Sequence, residues 1–324
     1  MKIKHLLCFI ALCLFFTPGK AQQLSVMTLR NGATVYIWED KSKPDVFGMI
    51  AFKVGSVDDP EQYTGLAHYL EHVMFKGTQT IDALDWEKEK PIYEKIIAKY
   101  DERAALSDPA AREAVDKEIN DLTREAAQYA AGNEFSLLVD HMGGQGLNAS
   151  TGYDQTEYHN SFPPSQLEKW LEIYSERLID PVFRGFQTEL EAVYEEYNMY
   201  NDDRGSRMRE FIYEQAFGDH PYARPIIGLP EHLKNPQLSK LIDFYNTWYG
   251  PQNMSIILVG NIDAKEAIPM IRDKFERVPR RAEIHREKKP VRQFKGRTEK
   301  SAKIFYYPML ALIYNGCLLY TSDA

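Results

Sequence analysis

Two hydrophobic periods alternate along the chain, one close to two and one close to 3.6, and they mark out its elements in turn. "LSVMTLRNGATVYIWED" is strand-like on both sides of Asn31-Gly32, a pair that favours the positive backbone angles of a tight hairpin. "VFGMIAFKVGS", rich in Val, Ile and Phe, predicts a third strand. The period then changes. In "DDPEQYTGLAHYLEHVMFKGT" the residues Leu66, Tyr69, Leu70, Val73 and Met74 are spaced as on one helix face, and Gly77 is a natural stop.

From Trp86 to about Ala131 the sequence is strongly helical and charged. Two such runs flank "SDPAA", which predicts a helical hairpin with a Ser-Asp-Pro turn and Ser107 as its cap. Its charges read as a solvated surface. The Gly-, Asn- and Thr-rich segment 143–163, "GGQGLNASTGYDQTEYHNSFP", predicts a loop entering an edge strand. Helices are expected over "SQLEKWLEIYSERL", "FQTELEAVYEEYNMYND" and "SKLIDFYNTWYG". "NMSIILVGNI" is a short buried strand, and "AKEAIPMIRDKF" a helix that Pro269 should kink or restart. Residues 279–300, rich in Arg and Lys with little periodicity, predict a linker, and "SAKIFYYPMLALIYN" predicts the first strand of a further domain over 301–316.

The ends of the chain stand apart from this pattern. Lys2, Lys4 and His5 precede an unbroken apolar run from Leu6 to Phe16, then Thr17-Pro18-Gly19 and Ala21. That is the layout of a secretory signal over residues 1–21, too short to be a membrane span. The chain is therefore expected to be exported, into the periplasm of a Gram-negative bacterium. The last eight residues, "CLLYTSDA" (317–324), match the translated end of a common sequencing adapter, and the chain is expected to be truncated there. Cys8 and Cys13 fall in the leader and leave only Cys317, so a disulfide framework is excluded and a metal site must draw on His and carboxylate. An apolar content of 44% is ordinary for a globular core, and a net charge of -8 argues against a nucleic-acid partner. The 324 residues allow two domains or one large one.

The chemistry concentrates in His68-Tyr69-Leu70-Glu71-His72. Residues four apart share a helix face, so His68 and His72 can bind one ion through their imidazole nitrogens. Zinc suits two imidazoles and a carboxylate in tetrahedral geometry and leaves a place for water. Glu71, on the flank of that face, can accept a proton from a water that the ion acidifies. A third protein ligand is still needed. His141, His159, His220, His232 and His285 are scattered. In "TELEAVYEEYN", Glu189 and Glu196 lie seven apart on one helix face, and either could approach the histidines, whereas Glu191 and Glu195 point elsewhere.

His-x-x-Glu-His is the inverted-zincin signature. Four pieces of this sequence, in order, resemble the pitrilysin, insulin-degrading enzyme and mitochondrial processing peptidase family. "TGLAHYLEHVMFKGT" is similar to its zinc helix. "GGQGLNASTGYDQTEYH" is similar to its Gly-x-x-Asn-Ala-x-Thr segment, with Thr151, Thr156 and Tyr158 at matching spacings. "ELEAVYEE" resembles its distal glutamate helix, and "FYNTWYGPQNMSIILVGNID" its later helix and strand. The resemblance spans roughly residues 25 to 278.

The resemblance implies an α+β fold, an antiparallel-rich sheet with helices packed on one face, over a catalytic domain at 22–278. It implies one zinc ion and the hydrolysis of peptides or small unfolded proteins with Glu71 as general base. By position, Glu196 is the third zinc ligand, and Glu189 is a second acidic residue that supports the site. Asn148 and Ala149 match the edge strand that takes substrate backbone by strand addition.

Two departures stand out. His72 and Glu196 are separated by 123 residues, which makes the helical hairpin at about 86–131 an insertion. The family's second homologous half, on the same chain or as a separate subunit, encloses the substrate and supplies an Arg and a Tyr; here it only begins. The alternative is a non-catalytic homologue acting as a structural or peptide-binding subunit. Such relatives usually lose a ligand or the base, whereas His68, Glu71, His72 and Glu196 are all present.

Overall fold

The computed structural model of the chain describes residues 23–281, 283–286, 289–304 and 308–314; the expected leader at 1–21 and the terminal 317–324 lie outside the described residues. Six strands form one sheet in the order β1 (Gln23–Thr28), β2 (Thr34–Glu39), β6 (Met254–Gly260), β3 (Val46–Phe52), β5 (Thr156–Phe162), β4 (Gln145–Thr151). Only β2 with β6 is parallel; the other pairings are antiparallel. The β1–β2 hairpin turns at Asn31-Gly32 as expected, with Gly32 at φ +100°. The buried Asn31 side chain donates to the carbonyls of Phe275 and Val278, which ties this turn to the far end of the sequence.

Alternation decides which face of the sheet is covered. Val35 and Ile37, Val46, Ile50 and Phe52, Tyr158 and Phe162, and Met254, Ile256 and Leu258 all point to one face and are buried. Helices cover that face: α1 (Leu66–Val73), α5 (Leu167–Glu176), α9 (Leu238–Trp248) and α10 (Ala264–Phe275) all contribute to a single core cluster. On α5, Trp170 stacks on Phe162 and on Tyr174, and both Trp170 and Tyr174 donate to the buried Asn160 side-chain oxygen at 2.8 and 2.7 Å. Gly48 permits this approach, because a Cβ there would stand 2.5 Å from the Trp170 ring. Leu24, Val26, Tyr36 and Trp38 face outward and are exposed.

The helical hairpin is formed by α2 (Trp86–Ala105) and α3 (Pro109–Ala126). The cap of α3 is Asp108 rather than Ser107. Its carboxylate accepts from the backbone of Ala110 and Ala111, and Pro109 takes the first helical position, where its missing N–H costs nothing. Pro269 does not interrupt α10. It lies exposed in the second turn, and its ring frees the carbonyl of Lys265, an exposed residue whose oxygen water can satisfy.

Three helices had no clear sequence signal; one is the four-residue α8 (Pro230–Leu233), too short to show a period. In α4 (Glu134–His141) only Phe135 and Val139 are buried. In α7 (Arg204–Phe217), which follows α6 (Phe186–Asp202) after Asp203 alone, Ser206 is the only buried residue, so no apolar stripe exists to be read. Past Phe275 the described residues form no helix or strand. The strand expected from 301 onward would need a neighbour to take its backbone hydrogen bonds, and among the described residues it has none.

Candidate metal centre

Helix α1 is fixed at both ends before any chemistry is considered. At its start the buried Asp59 carboxylate accepts from Gly65 N at 2.7 Å and Ala67 N at 2.9 Å, satisfying amides that the first turn leaves free. Gly65, at φ +88°, lets the chain pass against Ile227, whose carbonyl oxygen would be 2.5 Å from any Cβ there. Thr64 Oγ1 accepts from Leu229 N and lies 2.8 Å from His232 Nδ1. Beyond its end, the buried Arg177 guanidinium donates to the Met74 carbonyl at 3.0 Å and sits 4.3–4.8 Å from the rings of Phe135, Tyr158 and Phe75. A cation is favourable at a helix C-terminus and over aromatic faces.

With Leu66, Ala67, Tyr69, Leu70 and Val73 turned into the core, His68, Glu71 and His72 share the remaining flank. Helix α6 lies against it. Phe186, Leu190 and Val193 are its buried residues, and Glu189 and Glu196 reach the histidines. His68 Nε2 and His72 Nε2 are each 3.5 Å from Glu196 Oε2. One ligand atom from each of the three residues lies within 4.8 Å of the others. Donors held at about 2.0–2.1 Å from a tetrahedral ion stand about 3.3 Å apart, close to the two 3.5 Å separations to Glu196, so these three residues are placed to hold such an ion with one corner left over. Behind it, His72 Nδ1 faces Glu189 Oε2 at 3.4 Å, and Glu189 pairs with Lys76 Nζ at 2.5 Å. This carboxylate–imidazole arrangement is how metal-ligating histidines are usually oriented.

Electrostatics sharpen the picture. Burial lowers the His68 pKa to about 4, against the pull of Glu196, which leaves a neutral imidazole able to ligate. Burial also opposes charge on His72, but the hydrogen bonds it donates to Glu189 and Glu196 and the charge of Glu71 outweigh it and raise its pKa to about 9. Burial raises the Glu71 carboxyl above its ordinary value, against a hydrogen bond from Thr151 Oγ1 to Oε2 at 2.5 Å. Thr151 is in β4, so the edge strand holds this carboxylate directly.

The other sequence-picked residues divide cleanly. Asn148 is exposed on β4, which among the described residues has a single neighbour, β5, and an irregularity between Gln145 and Asn148; Ala149 is buried. Glu195 is exposed, and Glu191 accepts from Gln187, away from the histidines. His232 serves Thr64, His220 accepts from Tyr222 N, and His159 packs on Phe47. Sequence reasoning gave no role to Asp59, Lys76, Arg177 or Thr151. Only Thr151 carried a signal, its place in the Asn-Ala-x-Thr spacing.

A helix presenting two imidazoles and a carboxylate, met by a glutamate from a second helix, is a candidate centre for one metal ion. The family model described as "Insulinase (Peptidase family M16)" matches residues 34–90 and 122–229, and "Peptidase M16 inactive domain" matches 237–321. The chain belongs to the M16, pitrilysin-like peptidase family. The probable zinc protease PqqL of Escherichia coli is 25% identical over 270 residues, 80% of this chain and 23% of that protein. The zinc protease PqqE of Helicobacter pylori is 24% identical over 254 residues, 77% of this chain and 46% of that protein. The crystal structure of pitrilysin superposes with a TM-score of 0.62 at 22% identity, over 85% of this chain and 25% of that one. The chain thus spans less than half the length of these relatives. The M16 match is interrupted over the stretch that holds most of α2 and α3.

Proposed function

We propose that this chain is the metal-binding catalytic part of an exported zinc metalloendopeptidase that cleaves peptides or small unfolded proteins. The convergence of His68, His72 and Glu196 within 4.8 Å, with Glu71 held beside them by Thr151, is the observation that carries the reading. His68, His72 and Glu196 are the ligands, and Glu189 orients His72. Zinc, when bound, polarises the scissile carbonyl and lowers the pKa of a nearby water.

The chain's own residues do the rest. Glu71, with a raised pKa and a neutral hydroxyl as its fixed partner, takes the proton of the attacking water and returns it to the leaving amine. The free edge of β4 at Asn148 and Ala149 receives the substrate as an added strand, which places main-chain groups without demanding a sequence. A second homologous half, on the same chain or as a partner subunit, completes the substrate chamber. Residues 22–278 form the catalytic domain, 279–300 a linker, and the second half begins at about 301. The relative PqqL is described as a periplasmic protease, and the leader pattern supports the same compartment here.

Glu71→Gln in the protein carrying both halves is the test. Bound zinc should be unchanged, and cleavage of a quenched peptide should fall by about 10²–10⁴-fold. A variant that still cleaves would remove Glu71 from the role of base. Wild-type protein that binds zinc but cleaves nothing would favour the non-catalytic subunit.

A further inference from the structure

The α2–α3 hairpin leaves and rejoins the domain at one point. Ala83 and Ala130 form an antiparallel bridge, Leu84 N donates to Tyr129 O at 2.8 Å, and Ala131 N donates to Asp82 O at 3.0 Å. An excursion closed so tightly could stand free of the domain as a solvated arm. It does not. Its inner side is built into the segment that launches α6, the helix carrying Glu189 and Glu196.

Three contacts make the junction. Glu89, 1% exposed, receives two hydrogen bonds from Arg184 at 2.6 and 2.7 Å, and the same guanidinium donates to Lys76 O, just past the end of α1. Tyr93 OH accepts from Phe183 N at 3.2 Å. The Phe186 ring, in the first turn of α6, lies between Tyr100 of the hairpin at 4.7 Å and Tyr69 of α1 at 4.8 Å. Tyr69 OH also donates to the Phe186 carbonyl. Tyr69 is next to His68 in sequence. One ring therefore joins the hairpin, the histidine helix and the glutamate helix.

We propose that the hairpin is a positioning element for the metal centre: by clamping residues 183–187 against α1, it sets where Glu196 stands relative to His68 and His72. The proposal rests on the metal-site reading given above. Its physical basis is that a helix held just before its start by a bidentate ion pair, and in its first turn by two aromatic contacts, has little freedom to slide or rotate. Glu196, nearly three turns beyond Phe186, inherits that restriction. Support of this kind, one step removed from the metal, changes affinity by about 10–100-fold when lost.

The test measures zinc affinity by chelator competition on the full chain, for Tyr100→Ala and Glu89→Gln, each made in the wild type and in Glu196→Ala. Each variant should weaken zinc by about 10-fold in the wild type and leave the already weakened affinity of Glu196→Ala nearly unchanged. Tyr100→Phe, which keeps the ring, should behave as wild type. Equal losses in both backgrounds, or no loss in either, would overturn the brace. If Glu196→Ala alone leaves zinc affinity intact, the metal-site reading fails instead, so the two failures are distinct. Should neither hairpin variant fold, amide exchange of the wild-type protein decides. The brace predicts that α2 and residues 183–190 open as one unit, and earlier, separate opening of α2 would overturn it.

Discussion

Glu71 on α1 is half-buried and Glu89 on α2 fully buried, and their surroundings differ in kind. Glu89 is gripped by an arginine through two charge-assisted hydrogen bonds, so its charge is cancelled where it sits. Glu71 has one hydrogen bond, from a neutral hydroxyl, and burial raises its pKa. The first arrangement locks two elements together. The second keeps a carboxylate under-compensated beside two imidazoles, which makes it able to accept and give up a proton. A carboxylate drawn away from water thus serves structure or chemistry according to its partner.

The same substitution at both positions tests this contrast most strongly. Glu89→Gln strands the Arg184 charge in the interior and should cost about 3–5 kcal/mol of stability, read from urea unfolding. Glu71→Gln should leave stability unchanged or slightly higher while removing cleavage, as expected where an under-compensated charge serves function. Equal destabilisation by the two would erase the distinction.

A smaller effect is expected at the hydroxyl that holds the base. Thr151→Val should lower kcat by about 10-fold with KM and zinc content unchanged, and Thr151→Ser should restore it. A fall in zinc content would show instead that Thr151 acts on the ligands.

A pH effect is expected at Asp59, the buried cap of the metal helix. Burial raises its pKa from 3.8 to about 7, against two backbone hydrogen bonds. The native state therefore holds this proton more tightly than the unfolded chain. Its contribution to stability is full below about pH 4 and is lost as pH rises through about 7. The melting temperature of the wild type should fall over that window relative to Asp59→Asn, and parallel curves would contradict the assignment.

Much of this was legible in the sequence, for reasons that differ by element. The β1–β2 turn at Asn31-Gly32, the α1 stripe and the buried strand β6 announce themselves through local pattern, and tertiary packing agrees with them. The pairing of β6 between β2 and β3 does not, because nothing in a strand's own residues names its neighbour. His68, Glu71 and His72 were visible as a motif, and Glu189 and Glu196 as two residues on one face. Choosing between the two glutamates needed the resemblance. In the structure Glu196 faces both histidines, whereas Glu189 faces only His72 on its far nitrogen. Asp59 and Arg177, seven residues before and about a hundred after the helix they hold, had no local signal. Glu89 looked like one more solvated charge in a helix rich in them.

The central claim is that Glu196 completes a site with His68 and His72. Zinc stoichiometry and affinity of the chain, compared among the wild type, Glu196→Ala and Glu195→Ala, test it most directly. One zinc per chain, at least about 10-fold weaker in Glu196→Ala and unchanged in Glu195→Ala, is the predicted result. Unchanged affinity in Glu196→Ala, or a loss confined to Glu195→Ala, would contradict it.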